Sequence, residues 1–235
     1  MKQRFNKSII YCIVFCSLCF AGVVKADILL LVHGFQSDML TWQRANIIPV
    51  LQKHGWEKTD YIIAAPQGIA PIHTPEELTK NKIAILHLNS EIRLRDQANM
   101  VTAGLIYLSD LYPNEPVYIV GHSLGGLVAR LSIVKNGVFQ VKGLITIATP
   151  HLGTQLARVG LNKLNGNVIE TFAKRFFGGS RYNTLERSRP VLHNILPELP
   201  GNLLYQLNRQ PHPNIKYVSV VRSYKNGVLG DVVVP

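Results

Sequence analysis

A serine stands between two glycines in the segment Gly-His-Ser-Leu-Gly at residues 121–125, directly after an apolar run at residues 117–120. A serine hydroxyl is a weak nucleophile until a neighbouring base activates it for attack on a carbonyl carbon. A strand, this pentapeptide and a helix in succession are typical of a sharp turn that exposes the serine. Ser123 is therefore the predicted nucleophile, at a helix amino end whose dipole favours negative charge. The alternative, an ordinary helix cap, leaves Gly125 and Gly126 unexplained.

A second glycine turn, His33-Gly34-Phe35, follows the apolar run at residues 27–32. Attack by a serine on an acyl carbon creates an oxyanion, which backbone amides stabilise. In this arrangement one amide comes from the loop after the first strand and the other from the residue after the nucleophile. Phe35 and Leu124 are the predicted donors. We expect His33 to fix its loop by hydrogen bonding rather than to act as the base, and Gly34 and His122 to line the site.

Strands and helices must hold these groups in place. Short apolar runs predict strands, which are residues 27–32, 61–65, 117–120, 141–149 and 216–222. Three- and four-residue spacing of apolar residues predicts helices, which are residues 41–54 with a kink or a helix restart at Pro49, 93–111 and 124–135. Residues 83–88 are either a strand or an excursion near the site. The alternation predicts an α/β fold with a mostly parallel sheet and flanking helices. Residues 151–213 interrupt it and are predicted to form a cap insertion.

Composition bounds the class of protein. The chain has 235 residues, 47% hydrophobic and 17% charged, which predicts a single folded domain. The net charge of +11 is compatible with binding to anionic lipid surfaces or nucleic acid, but a solvated basic surface is the preferred interpretation. No basic run or nucleic-acid motif is present, so we predict no nucleic-acid partner and leave contact with a lipid surface open. No His/carboxylate cluster has metal-ligand spacing, and we predict neither a metal nor a cofactor.

The amino terminus has the pattern of a targeting signal. Basic residues precede an apolar stretch at residues 8–24, and the small residues around Ala26 are typical of a cleavage site. Residues 1–26 are therefore predicted to be a signal peptide, which implies a periplasmic or secreted protein. An uncleaved N-terminal membrane anchor is the alternative. All three cysteines lie in this segment, so the mature chain has no thiol for catalysis or metal binding.

Four segments together resemble a known family. They are VHGF (32–35), GHSLGG (121–126), ATPHLGT (148–154) and GDVVVP (230–235). In this order they resemble the bacterial lipase/esterase branch of the α/β-hydrolases, over residues 27–235. The resemblance implies the α/β-hydrolase fold, Asp231 as the acid of a catalytic triad and His151 as a residue lining the substrate pocket. Val232 replaces the glycine that usually follows this acid, and a surface turn is the alternative role for Asp231.

The base of the triad is missing from its expected place. Chain order in this fold is Ser, then Asp, then His, and no histidine follows Asp231. Three explanations stay open: a fragment that lacks its last strand or helix, a shortened inactive relative, or a rearranged triad. For a rearranged triad, His212 is the least unsuitable candidate.

The predicted function is a secreted serine carboxylic-ester hydrolase, a lipase or esterase. A lipid or small hydrophobic ester is the expected substrate because the predicted cap contains many apolar side chains, namely Leu161, Val168, Ile169, Phe172, Phe176 and Phe177. Two alternatives are a non-catalytic lipid-binding relative and an acyltransferase. The oligomeric state is not predicted.

Overall fold

The computed structural model describes residues 26–74, 80–137, 139–164 and 186–221. Its strands are β1 (Ile28–Val32), β2 (Trp56–Ala65), β3 (Gly68–His73), β4 (Asn81–His87), β5 (Val117–His122), β6 (Val141–Ile147) and β7 (Lys216–Val220). They form one seven-stranded sheet in the order β3-β2-β4-β1-β5-β6-β7. Only the β2–β3 pair is antiparallel among these strands. The predicted, mostly parallel α/β sheet is confirmed.

The helices lie between the strands in sequence. They are α1 (Thr41–Arg44), α2 (Ile47–Lys53), α3 (Leu94–Leu111), α4 (Leu124–Asn136), α5 (Gln155–Leu164), α6 (Arg189–Asn194) and α7 (Leu203–Arg209). Helices α3 and α4 pack against each other, as do α5 and α6. The described parts of residues 151–213 are helices and loops. Within the described residues, no helix combines the length and the hydropathy that crossing a membrane requires.

The centre of the sheet explains why β1 is apolar at nearly every position. Successive side chains of a strand point to opposite faces. Leu30 and Val32 belong to the core cluster that contains Leu105 of α3 and Leu127 of α4. Leu31 belongs to a second cluster, together with Trp42 of α1 and Ile48 of α2. Helices thus cover both faces of β1, as in other parallel sheets.

The helical region at residues 41–54 is broken at a different place from the one predicted. The break lies at Asn46, which has φ of +59°, and it separates α1 from α2. Pro49 lies in the first turn of α2, where the amide that proline lacks would have no intrahelical acceptor. Of the two predicted alternatives the helix restart is correct, although it lies at Asn46, three residues before Pro49.

The region around β2 is also more extensive than predicted. Residues 83–88 fall mostly in β4, so the strand alternative is correct, and β3 was not predicted. Strand β2 begins at Trp56, five residues before the predicted start at Tyr61. The added part contains the acidic residue Asp60, which is fully buried.

A hydrogen-bond cluster accounts for the burial of Asp60. Its carboxylate accepts from the hydroxyls of Thr59 at 2.6 Å, Tyr107 at 3.1 Å and Tyr112 at 2.8 Å. The Nδ1 atom of His73 lies 2.9 Å from the same carboxylate. The pairing register of β2 with β4 shifts between Lys58 and Asp60, as it does at a β-bulge. The cluster thereby joins β2 and β3 to helix α3.

Candidate active site

Ser123 occupies the turn between β5 and α4 in a strained backbone conformation, with φ of +51° and ψ of −121°. An L-residue rarely adopts this conformation unless its surroundings enforce it, and such strain is concentrated at functional sites. Two backbone hydrogen bonds hold the turn. The Ser123 amide donates to the Ile147 carbonyl at 2.8 Å, and the Gly126 amide donates to the Ser123 carbonyl at 3.1 Å. This geometry is that of a nucleophile elbow.

Close packing explains the glycines around the serine. A Cβ added at Gly121 would lie 2.5 Å from the Cα of Gly126. A Cβ at Gly125 would collide with the carbonyl oxygens of Val32 and His33. The first turn of α4 thus lies directly against the backbone after β1, and only glycine fits. An ordinary helix cap would require neither contact.

The loop after β1 lies beside the serine. Strands β1 and β5 are neighbours in register, with Val32 opposite Gly121, so the residues that follow them meet at one edge of the sheet. A Cβ added at Gly34 would lie 3.2 Å from the Cβ of Ser123. The structure therefore brings Gly34, in the turn at residues 33–35, next to Ser123.

His33 fixes this loop through both ring nitrogens. Its Nε2 accepts from the Leu88 amide at 3.3 Å, so Nδ1 carries the proton and donates to the Gly34 carbonyl at 2.9 Å. The side chain is buried, and burial lowers the pKa of His33 below its usual value. In a trans peptide the carbonyl and the following amide point in opposite directions. Holding the Gly34 carbonyl therefore sets the direction of the Phe35 amide.

Leu124, the second predicted donor, is the first residue of α4. Amides in the first turn of a helix have no intrahelical acceptor. Among the described residues, none accepts a hydrogen bond from the Leu124 amide. Phe35 directly follows Gly34, and Leu124 directly follows Ser123, so both candidate donors belong to segments that meet at the serine.

His122 completes the motif on the other side of the turn. Its ring meets that of Trp42 edge-on, with 6.5 Å between the ring centroids. Its Nδ1 is buried without a hydrogen-bond partner within the described ranges. Burial lowers the pKa of His122, so the ring is neutral at physiological pH.

His212, the candidate base of a rearranged triad, and His151, the predicted pocket residue, are both hydrogen-bonded to an arginine. Arg130 donates from Nε to the Nε2 of His212 at 2.7 Å, and its Nη1 lies 3.3 Å from the Nδ1 of His151. The remaining nitrogen of His151 contacts the Thr146 hydroxyl at 3.2 Å, and that of His212 contacts the Gln210 carbonyl at 2.8 Å. In this arrangement neither ring is hydrogen-bonded to Ser123.

The described histidine that does contact a carboxylate, His73, lies far from the serine. Its partner Asp60 stands in register with Ile119, through Ala84 and Leu30. That position is four residues before Ser123 and three strands away, which corresponds to about 13 Å along the strands and about 14 Å across them. The proposed acid Asp231 lies outside the described residues, as do Val168, Ile169, Phe172, Phe176 and Phe177.

Arg130 is the residue that the sequence reasoning missed. It follows Ser123 by seven residues on α4, and this spacing places two residues on the same face of a helix. This spacing is the sequence feature that places Arg130 on the same side of α4 as Ser123. In the described part of the chain, no group of three or more His, Cys, Asp or Glu side chains is arranged to hold a metal ion.

Comparisons with known proteins bear on the fold. Residues 85–197 match the PGAP1-like alpha/beta domain. The mature lipase BlEst2 of Bacillus licheniformis superposes with a TM-score of 0.58 at 19% identity, over 88% of this chain and 70% of that one. The lin2722 gene product of Listeria innocua superposes with a TM-score of 0.54 at 15% identity, over 86% of this chain and 87% of that one.

The chain has the α/β-hydrolase fold. Its curated relatives are fungal, so the bacterial lipase/esterase branch is not confirmed. A GPI inositol-deacylase of Candida albicans is 42% identical over 62 residues, which are 25% of this chain and 16% of the relative. GPI inositol-deacylase A of Yarrowia lipolytica is 36% identical over 64 residues, which are 24% of this chain and 6% of the relative. The matches thus span under a fifth of either relative's length.

Replacing His33 by alanine in this α/β-hydrolase fold is expected to lower kcat with little change in KM. The substitution releases the Gly34 carbonyl and therefore the direction of the Phe35 amide, and loss of an oxyanion donor costs about 10²- to 10³-fold. Steady-state kinetics on a p-nitrophenyl ester measure both constants. His54→Ala, at an exposed position, is the matched control. An unchanged kcat in a folded His33→Ala variant would show that His33 does not position the loop.

Acid is expected to destabilise the fold partly through His151. Burial, with Arg130 and His212 nearby, lowers the pKa of His151 from 6.5 to about 4. Between these values the unfolded chain binds a proton that the folded chain does not, so the free energy of unfolding falls as pH falls from 6.5 to about 4. Urea unfolding across this range should show a weaker pH dependence in His151→Gln than in wild type. The exposed His54→Gln variant should keep the wild-type dependence, and an identical slope in all three proteins would contradict the assignment.

Proposed function

We propose that this chain is a serine carboxylic-ester hydrolase that acts on hydrophobic esters. The observation that carries the proposal is the strained backbone of Ser123, in a turn that places its side chain beside the Gly34 loop. The proposal assigns Ser123 as the nucleophile and the amides of Phe35 and Leu124 as oxyanion donors, because acyl transfer requires both kinds of group. A simple helix cap does not require a strained backbone, so the cap alternative leaves this conformation unexplained.

The mechanism has two steps. The Ser123 hydroxyl loses its proton to a base and attacks the ester carbonyl carbon, while the amides of Phe35 and Leu124 hold the oxyanion. The carbon–oxygen bond to the alcohol breaks, the alcohol leaves with a proton from that base, and an acyl-enzyme remains. Water then attacks the acyl carbon and releases the acid. We propose Asp231 as the carboxylate that orients the histidine base.

Similarity supports the choice of substrate. One superposed structure is a lipase, and both curated relatives are named GPI inositol-deacylases. A lipid or another hydrophobic ester is therefore the proposed substrate, and a fatty acyl ester on an inositol-containing lipid is its most specific form. The proposed bacterial lipase/esterase affiliation rests on the motifs and on the superposition alone. We also propose that residues 1–26 are cleaved on export and that residues 27–235 form the hydrolase domain, with a cap within 151–213.

One observation favours a second candidate, a non-catalytic lipid-binding protein. Among the described residues, no histidine is hydrogen-bonded to Ser123, because Arg130 holds His151 and His212. Without a base, the same site would bind an ester and leave it intact. An acyltransferase would use the same acyl-enzyme but pass the acyl group to an alcohol rather than to water.

The test is covalent labelling together with turnover. The full chain is incubated with a fluorophosphonate and mapped by peptide mass spectrometry, and hydrolysis of p-nitrophenyl butyrate is followed in parallel. An ester hydrolase is expected to be labelled at Ser123 and to release nitrophenol. A folded protein that is neither labelled nor active would overturn the proposal in favour of lipid binding. Product analysis with added alcohol identifies acyl transfer, because an ester then forms in place of the acid.

A further inference from the structure

A cavity of about 480 Å³ lies between helix α4 and strands β6 and β7. Its polar lining includes Arg130, Thr146, His151, His212, Tyr217 and Ser219. Within the described part of the chain no acidic side chain lines it. Ser123 does not line it either and lies seven residues before Arg130, about 10 Å away along the helix. The cavity therefore does not include the candidate nucleophile, although His151, which the resemblance assigns to the substrate pocket, lines it.

The guanidinium of Arg130 provides the positive charge of this cavity. Its described acceptors are two imidazole nitrogens, on His212 and His151. Both rings are neutral at physiological pH, since burial and the nearby arginine lower the pKa of each. Ion pairs among the described residues do not include Arg130. The positive charge is thus half-buried without a carboxylate partner in the described ranges.

Nearby charges do not supply that partner. Glu198 is the acidic residue that interacts electrostatically with Arg130. Its carboxylate accepts from the Asn208 amide at 2.5 Å and lies 3.5 Å from Arg209, so it is already engaged. Tyr217 lies near Arg130, but its hydroxyl donates to the Pro213 carbonyl at 3.0 Å. Burying a cation without compensation is unfavourable, and an anion in the cavity would remove that cost.

The donors that remain on Arg130 fit a phosphate. A guanidinium has five N–H groups, and the two described contacts use Nε and one N–H of Nη1. The others can form paired bonds to two oxygens of one phosphate, the geometry in which arginine recognises this group. The hydroxyls of Thr146 and Ser219, 3.2 Å apart in the same cavity, lie where they can add weaker bonds.

We propose that this cavity is a phosphate-binding site, with Arg130 as the bidentate donor. Its ligand is either a free phosphate group or the phosphate of a lipid headgroup. The site is distinct from Ser123, and the proposal does not depend on hydrolytic activity.

Binding is tested on the full chain with inorganic phosphate, by calorimetry and by thermal unfolding at constant ionic strength set with sodium chloride. Saturating phosphate is expected to raise Tm by about 5 °C. Arg130→Gln keeps the length and some donors but loses the charge, and it is expected to raise Kd at least about tenfold. Arg130→Lys keeps the charge and is expected to retain weaker binding, which guards against a folding defect in the first variant. Arg158→Gln, at an exposed position on α5, is the matched control.

Vesicles separate the two sources of phosphate. Binding to phosphatidylcholine vesicles that contain phosphatidic acid, without a response to inorganic phosphate, identifies a headgroup site if Arg130→Gln abolishes it. A response to inorganic phosphate alone identifies a free-phosphate site. The proposal is overturned if neither ligand binds, or if Arg130→Gln and Arg158→Gln weaken binding equally. A third contrary result comes from a double-mutant comparison of Arg130→Gln and Asp231→Asn. If the two substitutions lower Tm non-additively, and if phosphate does not change Tm in the wild type, the partner of Arg130 is an acid of this chain and the proposal is overturned.

Discussion

Alanine in place of Ser123 is expected to lower kcat for p-nitrophenyl butyrate by about 10⁴- to 10⁶-fold. The substitution removes only the hydroxyl group, and no acyl-enzyme can form without it. The strained backbone is retained, because alanine has the same Cβ and because the hydrogen bond of the residue 123 amide to the Ile147 carbonyl does not involve the side chain. Rates measured at saturating ester, with thermal unfolding as a check on the fold, provide the comparison.

Ser109→Ala is the matched control, since Ser109 lies on α3 away from the turn and loses the same atom. It is expected to leave kcat unchanged. Fluorophosphonate labelling should disappear in Ser123→Ala and persist in Ser109→Ala. Equal turnover by the wild type and the Ser123→Ala variant would show that hydrolysis arises elsewhere or from a contaminant, and it would remove Ser123 from the mechanism.

Alanine in place of Gly125 is expected to lower the free energy of unfolding by about 3 kcal/mol, at the upper end of the range for overpacking. Its Cβ would collide with the carbonyl oxygens of Val32 and His33, which are backbone atoms at the end of a central strand. A side chain could rotate away, but β1 is paired on both sides and cannot move alone. Helix α4 must therefore shift away from the sheet, and Ser123 shifts with it.

Gly104→Ala gives the matched comparison, because Gly104 is also a helical residue. The added Cβ would lie 3.2 Å from the end of the Leu86 side chain, which can adjust. Higher helix propensity offsets that contact, so we expect a change within about 1 kcal/mol. Urea denaturation of both variants measures the difference. Similar stabilities for Gly125→Ala and Gly104→Ala would refute the close packing of α4 against β1.

Local patterns in the sequence were sufficient to predict the centre of the fold. Strand β1 is buried on both faces, and a strand of this kind is apolar at almost every position, which makes it visible without any knowledge of its neighbours. Strand β5 also has an unambiguous pattern, since its first four residues are apolar, although its side chains are alternately buried and half-buried. The break at Asn46 and strand β3 could not be predicted, because both depend on how the chain packs. Pro71, within β3, argues against a strand unless that strand lies at an edge, as it does here.

The candidate site was predicted only in part for the same reason. The proximity of Gly34 to Ser123 follows from a general property of parallel sheets, in which the carboxyl ends of neighbouring strands meet at one edge. The environment of His151 and His212 does not follow from any local pattern. Both are held by Arg130, which lies 21 residues before one and 82 before the other, and such contacts are set only by the assembled fold.

The buried carboxylate of Asp60 also fixes the register of β2 in the sheet. Four donors from four different residues converge on it, two of them on α3 or just after it and one on β3. A slip of β2 by one residue would turn Asp60 to the opposite face of the sheet and leave these donors unpaired. Misaligned versions of the β2–β3 hairpin are therefore much less stable than the native one. Single-residue deletions between Trp56 and Asp60 should accordingly be rare among homologous chains, whereas changes of length in the turn at Pro66 and Gln67 should be tolerated.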